Sequence, residues 1–128
     1  VGVLRTATGM KRGIDRVAEI KSELNETGVA SDNLAFNLTW HDWLNMASLC
    51  EVSDVIARAG LARENSSGAH YREDFPDSGT MESSYFTIAC KQGDKIDVAR
   101  EAVQFTIVKP GETILPDGEP ETLVEAAQ

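Results

Sequence analysis

Apolar positions recur at three- and four-residue steps through the segment MKRGIDRVAEIKSEL. Met10, Ile14, Val17 and Leu24, with Ile20 beside them, share one side, while Lys11, Arg12, Asp15, Arg16, Glu19 and Lys21 take the other. That spacing predicts an amphipathic helix, and Gly28 is its natural stop because glycine tolerates the left-handed geometry that closes helices. A second run, DNLAFNLTWHDWLNMASLCEVSDVIARAGLAREN, offers Ser31 or Asp32 as an N-cap and meets no proline before Pro76. It predicts one continuous helix about 50 Å long at ~1.5 Å per residue. Its apolar set (Leu34, Leu38, Leu44, Ala47, Cys50, Val52, Val55, Ile56, Ala59) covers more than one stripe, with Trp40, Trp43, Met46 and Leu49 outside it. A helix apolar over so much of its circumference needs neighbours on several sides, and one short antiparallel partner does not cover it.

Helical periodicity stops after Ser66-Ser67-Gly68. REDFPDSGTMESS reads as a polar loop broken by Pro76 and Gly79. Period-two alternation follows at Phe86, Ile88 and Cys90, then at Ile96 and Val98. Gly93-Asp94 between them suits the two-residue turn of a hairpin. Val103, Phe105 and Ile107 predict a third extended piece. The tail from Pro110 predicts extended chain apart from a helical turn near Leu123.

At 128 residues the chain has the size of one domain. Twenty-one acidic against twelve basic side chains give a formal charge of −9, which repels phosphate backbones and anionic headgroups and argues against nucleic acid or a membrane surface as partner. Cys50 and Cys90 stand singly without CxxC spacing, against a zinc site or a disulfide scaffold; both read as reduced and buried. No run approaches the ~18 apolar residues of a membrane span, and the N-terminus lacks the apolar core of a signal peptide. The sequence starts at Val1 rather than Met, the expectation for a processed product or a piece of a longer chain.

Chemistry-bearing motifs are sparse. Neither GxGxxG nor GxxxxGK[ST] occurs, so a nucleotide site made by this chain alone has no support. His41 and His70 lie far apart and outside any HExxH pattern, so a metal site is not expected. The densest cluster of ionisable groups is ENSSGAHYREDFPD, Glu64 to Asp77. Ser66 or Ser67 beside His70 invites a nucleophile and base, but no GxSxG elbow surrounds them, and capping of a helix end is the better account. His70 with Glu73 or Asp74 would make an acid–base pair. The competing and favoured reading is an ion-paired junction of Arg63, Glu64, Arg72, Glu73 and Asp74 that fixes where the loop leaves the helix. Trp40 and Trp43 read as core or interface packing ahead of a ligand pocket.

The phrase ARENSSGAHYREDFPD, with NMASLCEVSDVIARAGL before it, resembles the end of the long helix in the flavoprotein subunits of succinate dehydrogenase and fumarate reductase and in the related L-aspartate oxidases. That family's pattern, A-L-x-R-x-E-S-R-G-A-H-x-R-x-D-F/Y-P, is met by Leu61 or Ala62, Arg63, Gly68, Ala69, His70, Arg72, Asp74, Phe75 and Pro76. Val3, Arg5, Gly9 and Met10 match the stretch opening the second bundle helix, so the resemblance spans about Gly2 to Pro76 and, more weakly, VQFTIVKPGET. Where the family has Glu-Ser-Arg-Gly, this chain has Glu64-Asn65-Ser66-Ser67-Gly68, one residue longer and without the arginine.

The resemblance implies a mainly α fold. Two long antiparallel helices of a spectrin-repeat-like bundle, its first helix missing, would be followed by a small β-hairpin and an irregular tail. Residues 1–76 would form the helical part with its junction loop, and 77–128 the loop, hairpin and tail of the same domain. It also implies a C-terminal domain of an FAD-dependent oxidoreductase acting on succinate, fumarate or a related dicarboxylate, with FAD and catalysis belonging to a preceding flavin-binding domain. No catalytic, cofactor-binding or metal residue carries over. Arg63, Glu64, His70, Arg72 and Asp74 would lock the helix end to a loop packed on the flavin domain. The expected location is cytoplasmic, or peripheral at the inner face of a membrane as part of a complex. The chain alone would self-associate through its uncovered apolar face. The alternatives are a stand-alone protein-binding or scaffold module using the apolar face of the long helix, and a small hydrolase using Ser67 and His70.

Overall fold

The computed structural model describes residues 2–114. Its elements, in order, are β1 (Leu4–Arg5), α1 (Ala7–Thr27), α2 (Leu38–Ala62), β2 (Tyr71–Arg72), β3 (Tyr85–Gln92) and β4 (Lys95–Ala102). The region expected to hold a helical turn near Leu123 lies outside the described residues.

Helix α1 starts at Thr6, whose hydroxyl accepts from the Gly9 N–H, the usual way a threonine satisfies a first-turn donor. It ends at Gly28, which turns the chain at φ 61° while its N–H donates to the Leu24 carbonyl. Helix α2 runs antiparallel to α1. Met10 lies beside Gly60, Lys21 reaches Glu51, and the Trp43 indole N–H donates to the Leu24 carbonyl at 3.0 Å.

The second helix is shorter at both ends than its sequence predicts. Ser31 and Asn33 are spent on local turns: Ser31 Oγ accepts from the Asn33 N–H, and Asn33 Oδ1 accepts from the Ala35 N–H. Phe36 then adopts a positive φ of 54°, incompatible with helix, and Asn37 becomes the cap by accepting from the Trp40 N–H. The helix stops at Ala62 rather than Asn65, and its 25 residues span about 37 Å.

Strands β3 and β4 form an antiparallel hairpin about Gly93-Asp94, with Lys91 opposite Ile96 and Thr87 opposite Arg100. Because odd positions on β3 face even positions on β4, Phe86, Ile88 and Cys90 lie on one face of the hairpin and Ile96 and Val98 on the other. The face bearing Lys91, Ile96, Val98 and Arg100 turns toward α2, as the contacts of Lys91 with Glu51 and of Arg100 with the Ala62 carbonyl show. Cys90 is therefore exposed, not buried, and both cysteines are free. The expected third strand at 103–107 is not formed. Val103 adds one hydrogen bond to the Ser84 carbonyl, and there the partner strand has ended.

Fully buried apolar side chains are few: among the described residues they are Met10, Cys50 and Ala57. The same count includes two polar ones, His70 and Arg72. The most completely buried large side chain besides Met10 is thus a cation, and that locates the site.

Candidate functional site

Arg72 occupies the point where both helices and the following loop meet. Its backbone lies in β2, which pairs in parallel with β1 (Leu4 with Tyr71, Arg5 with Arg72) and so ties the start of the chain to the loop after α2. The Glu73 N–H extends the ladder to the Arg5 carbonyl at 2.9 Å. The guanidinium is 1% exposed and uses all three nitrogens. Nη1 donates to the carbonyls of Gly60, Leu61 and Arg63 at 3.0–3.2 Å. Nε and Nη2 make a fork to the two Asp74 oxygens at 2.7 Å each, and the plane stacks on the Phe75 ring at 4.9 Å. A helix leaves its last carbonyls without partners, and here Arg72 supplies the donors with a charge that also suits the negative end of the helix dipole.

Asp74 carries the same logic to the other helix. Its Oδ2 accepts from the Ala7 N–H at 2.8 Å, placing a carboxylate at the positive N-terminus of α1. One electrostatic chain results, from the α2 carbonyls through Arg72 and Asp74 to the first α1 amide. The Arg72 fork, reinforced by the Ala7 N–H, holds the Asp74 carboxyl far below the usual carboxylate range, and Asp74 in turn raises the Arg72 pKa.

His70 is buried beside this chain. Its Nδ1 lies 2.6 Å from Arg5 Nη1, and since a guanidinium only donates, Nδ1 is the acceptor. The ring proton is then on Nε2, which donates to the Arg63 carbonyl at 3.3 Å. Burial, with the charges of Arg63, Arg5 and Arg72 around it, lowers the His70 pKa, so the imidazole is neutral at neutral pH.

Ser66 crosslinks the loop. Its hydroxyl accepts from the Arg72 N–H at 2.8 Å and donates to the Phe75 carbonyl at 2.8 Å, while its own N–H donates to the Asp77 carbonyl. It folds the loop on itself instead of capping α2. Arg63 contributes chiefly its carbonyl, because its side chain bonds Asn65 and the Ser67 carbonyl and makes no ion pair among the described residues. Glu64 makes no hydrogen bond to Arg72 among the described residues and pairs with Arg100 of β4, which also donates to the Ala62 carbonyl. Glu73 enters through its backbone N–H. Of the five residues singled out by sequence, Arg72 and Asp74 meet directly, His70 joins them through the Arg63 carbonyl to which it and Arg72 both donate, and Glu64 belongs to a second contact with the hairpin. Arg5, Ser66 and Arg100 were missed as members. Arg5 and His70 are 65 positions apart, beyond the reach of any periodicity argument.

The chemistry open to this arrangement is narrow. Both His70 nitrogens are committed, so no base faces Ser67, and a Ser67–His70 hydrolase has no geometry to work with. The Asp74 carboxylate is locked in an ion pair and cannot exchange a proton near neutral pH. Nor do these residues fit a flavin dinucleotide. The N-termini of α1 and α2, where a pyrophosphate would seek free amides, are filled by Thr6 with Asp74 and by Asn37. The Arg72 guanidinium, the Asp74 carboxylate, both His70 ring nitrogens and the Ser66 hydroxyl all find their partners inside the chain.

Residues 1–115 match the family described as the fumarate reductase flavoprotein C-terminus. The chain belongs to that family. Among curated relatives of this C-terminal domain, the fumarate reductase flavoprotein subunit of Mycobacterium tuberculosis is 25% identical over 114 residues, covering 88% of this chain and 20% of the relative. An uncharacterised FAD-dependent oxidoreductase of Methanocaldococcus jannaschii is 28% identical over 80 residues, covering 61% and 14%. The L-aspartate oxidase of Yersinia pestis is 31% identical over 77 residues, covering 60% and 13%. A solved quinol fumarate reductase from E. coli superposes with a TM-score of 0.76 at 23% identity, covering 87% of this chain and 20% of that one. The C-terminal domain thus spans a fifth or less of these relatives.

Proposed function

We propose that this chain is a structural domain of a larger FAD-dependent flavoprotein of the succinate dehydrogenase and fumarate reductase type, packing on the flavin-binding part and performing no chemistry by itself. One contrast carries the reading. The Arg72 guanidinium and the Asp74 carboxylate are satisfied from within, whereas α2 leaves Leu38, Trp40, Leu44, Met46, Leu49, Val52 and Ile56 exposed, the kind of apolar face that another surface covers. Its cover would be the first helix of a spectrin-like three-helix bundle, supplied by the preceding part of the parent. Residues 1–76 and 77–128 act as one domain, with Arg63, Glu64, His70, Arg72 and Asp74 as the junction set.

FAD would be held by the preceding part, and the substrates would be succinate, fumarate or a related dicarboxylate, in keeping with the relatives named above. Among the described residues no helix is long and apolar enough to cross a membrane. The location we propose is the cytoplasm, or the periphery of a membrane complex.

His70→Ala in the intact parent tests the assignment. The expected result is a lower melting temperature with turnover per bound flavin unchanged. Unchanged stability with lost turnover would move His70 into catalysis. A native gene product several times the 13.9 kDa of this chain and carrying flavin is the second expectation. A flavin-free product of 13.9 kDa would instead establish a stand-alone module.

A further inference from the structure

The cleft bounded by α2, the hairpin and Arg5 holds charge that nothing in the described chain answers. It has a volume of about 630 Å³, and Arg5, Arg63 and His70 line it together with Ile56, Ala59 and Phe86. Arg5 places Nε on the Gly2 carbonyl and Nη1 on His70. Arg63 places Nε on Asn65 and Nη2 on the Ser67 carbonyl. All four acceptors are neutral. Each guanidinium has five N–H donors, so each keeps three without a partner among the described residues.

Arg16, Arg58, Arg72 and Arg100 each hold a carboxylate. Arg5, Arg12 and Arg63 hold none among the described residues; of these Arg5 and Arg63 line the cleft, and no Asp or Glu lines it with them, in a chain with 21 acidic against 12 basic side chains. His70 cannot balance them, because as an acceptor from Arg5 it is neutral. The local field is therefore positive on a molecule whose net charge is −9, and such a site selects an anion.

We propose that this cleft docks a carboxylate-bearing segment of the rest of the parent flavoprotein, an Asp or Glu side chain reaching Arg63 and Arg5 while a neighbouring apolar side chain covers Ile56 and Phe86. The inference rests on the reading of this chain as one domain of such a parent, and it names the contact through which that docking is registered. A small anion would leave Ile56 and Phe86, both more than half exposed, in water. A peptide segment covers both and supplies the charge. Complementary charge across an interface fixes orientation, which an apolar surface alone does not, and a guanidinium suits a carboxylate geometrically as well as by charge.

The test uses the full-length parent carrying Arg63→Lys, treated with a water-soluble carbodiimide that joins an ammonium to a carboxylate in contact, then digested and read by mass spectrometry. The Lys91–Glu51 pair, 2.5 Å apart, is the internal control for both the reaction and the fold. Carbene footprinting of Leu44 and Leu49 in the same sample reports separately whether the apolar face of α2 is covered. The expected result is covered Leu44 and Leu49 and a crosslink from position 63 to an Asp or Glu outside residues 1–128. Covered leucines and the control crosslink, with none from position 63, would overturn the carboxylate anchor and leave the packing on the parent intact. Exposed leucines would overturn both. A crosslink to an acidic residue of a second copy would replace the proposal with self-association.

Discussion

The two ends of α2 are built on opposite principles. At its C-terminus the carbonyls of Ala59 to Arg63 are met by the Arg63 N–H, the Arg72 guanidinium and Arg100. At its N-terminus Asn37 caps the backbone, yet Leu34 and Phe36 are 88% and 100% exposed and Trp40 is 49% exposed. One end is closed by contacts within the chain; the other presents apolar surface that only another surface can cover. Polar satisfaction is directional and can be completed locally, whereas apolar coverage requires area. A domain of this size that spends one of its most buried positions on an arginine keeps few apolar side chains inside, Met10, Cys50 and Ala57 among the described residues.

The sharpest way to break the contrast is at the closed end. Arg72→Met keeps volume and removes the donors, leaving the Gly60 and Leu61 carbonyls without this partner, the Arg63 carbonyl with His70 alone and the Asp74 carboxylate with only the Ala7 N–H. A loss of about 3–5 kcal/mol in unfolding free energy is expected, the usual cost of breaking a buried charged pair from one side. Chemical denaturation measures it. A loss below about 1 kcal/mol would mean that water replaces the guanidinium and that the closed end is not closed.

The open end should respond in the opposite sense. Leu44→Gln with Leu49→Gln removes apolar area without touching the junction, so the stability of the chain itself should move by no more than about 0.5 kcal/mol. Attachment to the parent should weaken by about 2 kcal/mol at ~25 cal/mol per Å² of apolar surface, read as flavin loss at lower denaturant. In the isolated chain the same pair should reduce self-association seen by light scattering.

What was legible in the sequence follows the same division. Local signals were readable: the apolar spacing of α1 with its Gly28 stop, and the Gly93-Asp94 turn between alternating runs. The surplus of apolar positions on α2 was readable as an unmet need for cover. The α2 start was misplaced because Ser31 and Asp32 are as good caps as Asn37 in isolation. The deciding feature, the positive φ of Phe36, has no signature in a bulky aromatic. The hairpin faces were unreadable because alternation fixes parity within a strand and leaves the register between strands open. At the site, clustering pointed to residues 63–74, but the division of labour within them depends on Arg5 and Arg100, which arrive from 65 positions before His70 and 36 after Glu64.

Acid titration sharpens the closed end further. His70 has a folded pKa below its unfolded value of 6.5, so the unfolded chain binds the proton more readily. The stability it contributes is complete above about pH 6.5 and falls as pH drops through that value toward the lower folded one. Asp74, also lowered, from 3.8, contributes stability that is present above pH 3.8 and is lost at still lower pH. Two successive declines are expected on acidification. His70→Gln should remove the first and keep the second, because an amide can accept from Arg5 and donate to the Arg63 carbonyl without titrating. Denaturation midpoints measured from pH 7.5 down to about pH 2 would show both declines, and a first decline left unchanged in His70→Gln would mean that it comes from a group other than His70.

The smallest effect is expected where the hairpin meets the middle of α2, between the two ends. Glu51 accepts there from Lys91 of β3 at 2.5 Å and from Lys21 of α1 at 3.4 Å, and the two lysines lower its pKa, Lys91 the more. All three side chains are close to half exposed, a setting in which water and salt screen most of the attraction. Glu51→Gln should therefore leave global unfolding within error. The hairpin, however, is held to the helices mainly here and at Arg100, so local opening should be the readout that moves. Faster amide exchange confined to β3 and β4, with α1 and α2 unchanged, is the expected pattern, since segments with few buried contacts open independently of the whole. If exchange accelerates in the helices as well, the hairpin is part of the same cooperative unit as the Arg72 junction, and the contrast between the two ends of α2 would extend along its whole length.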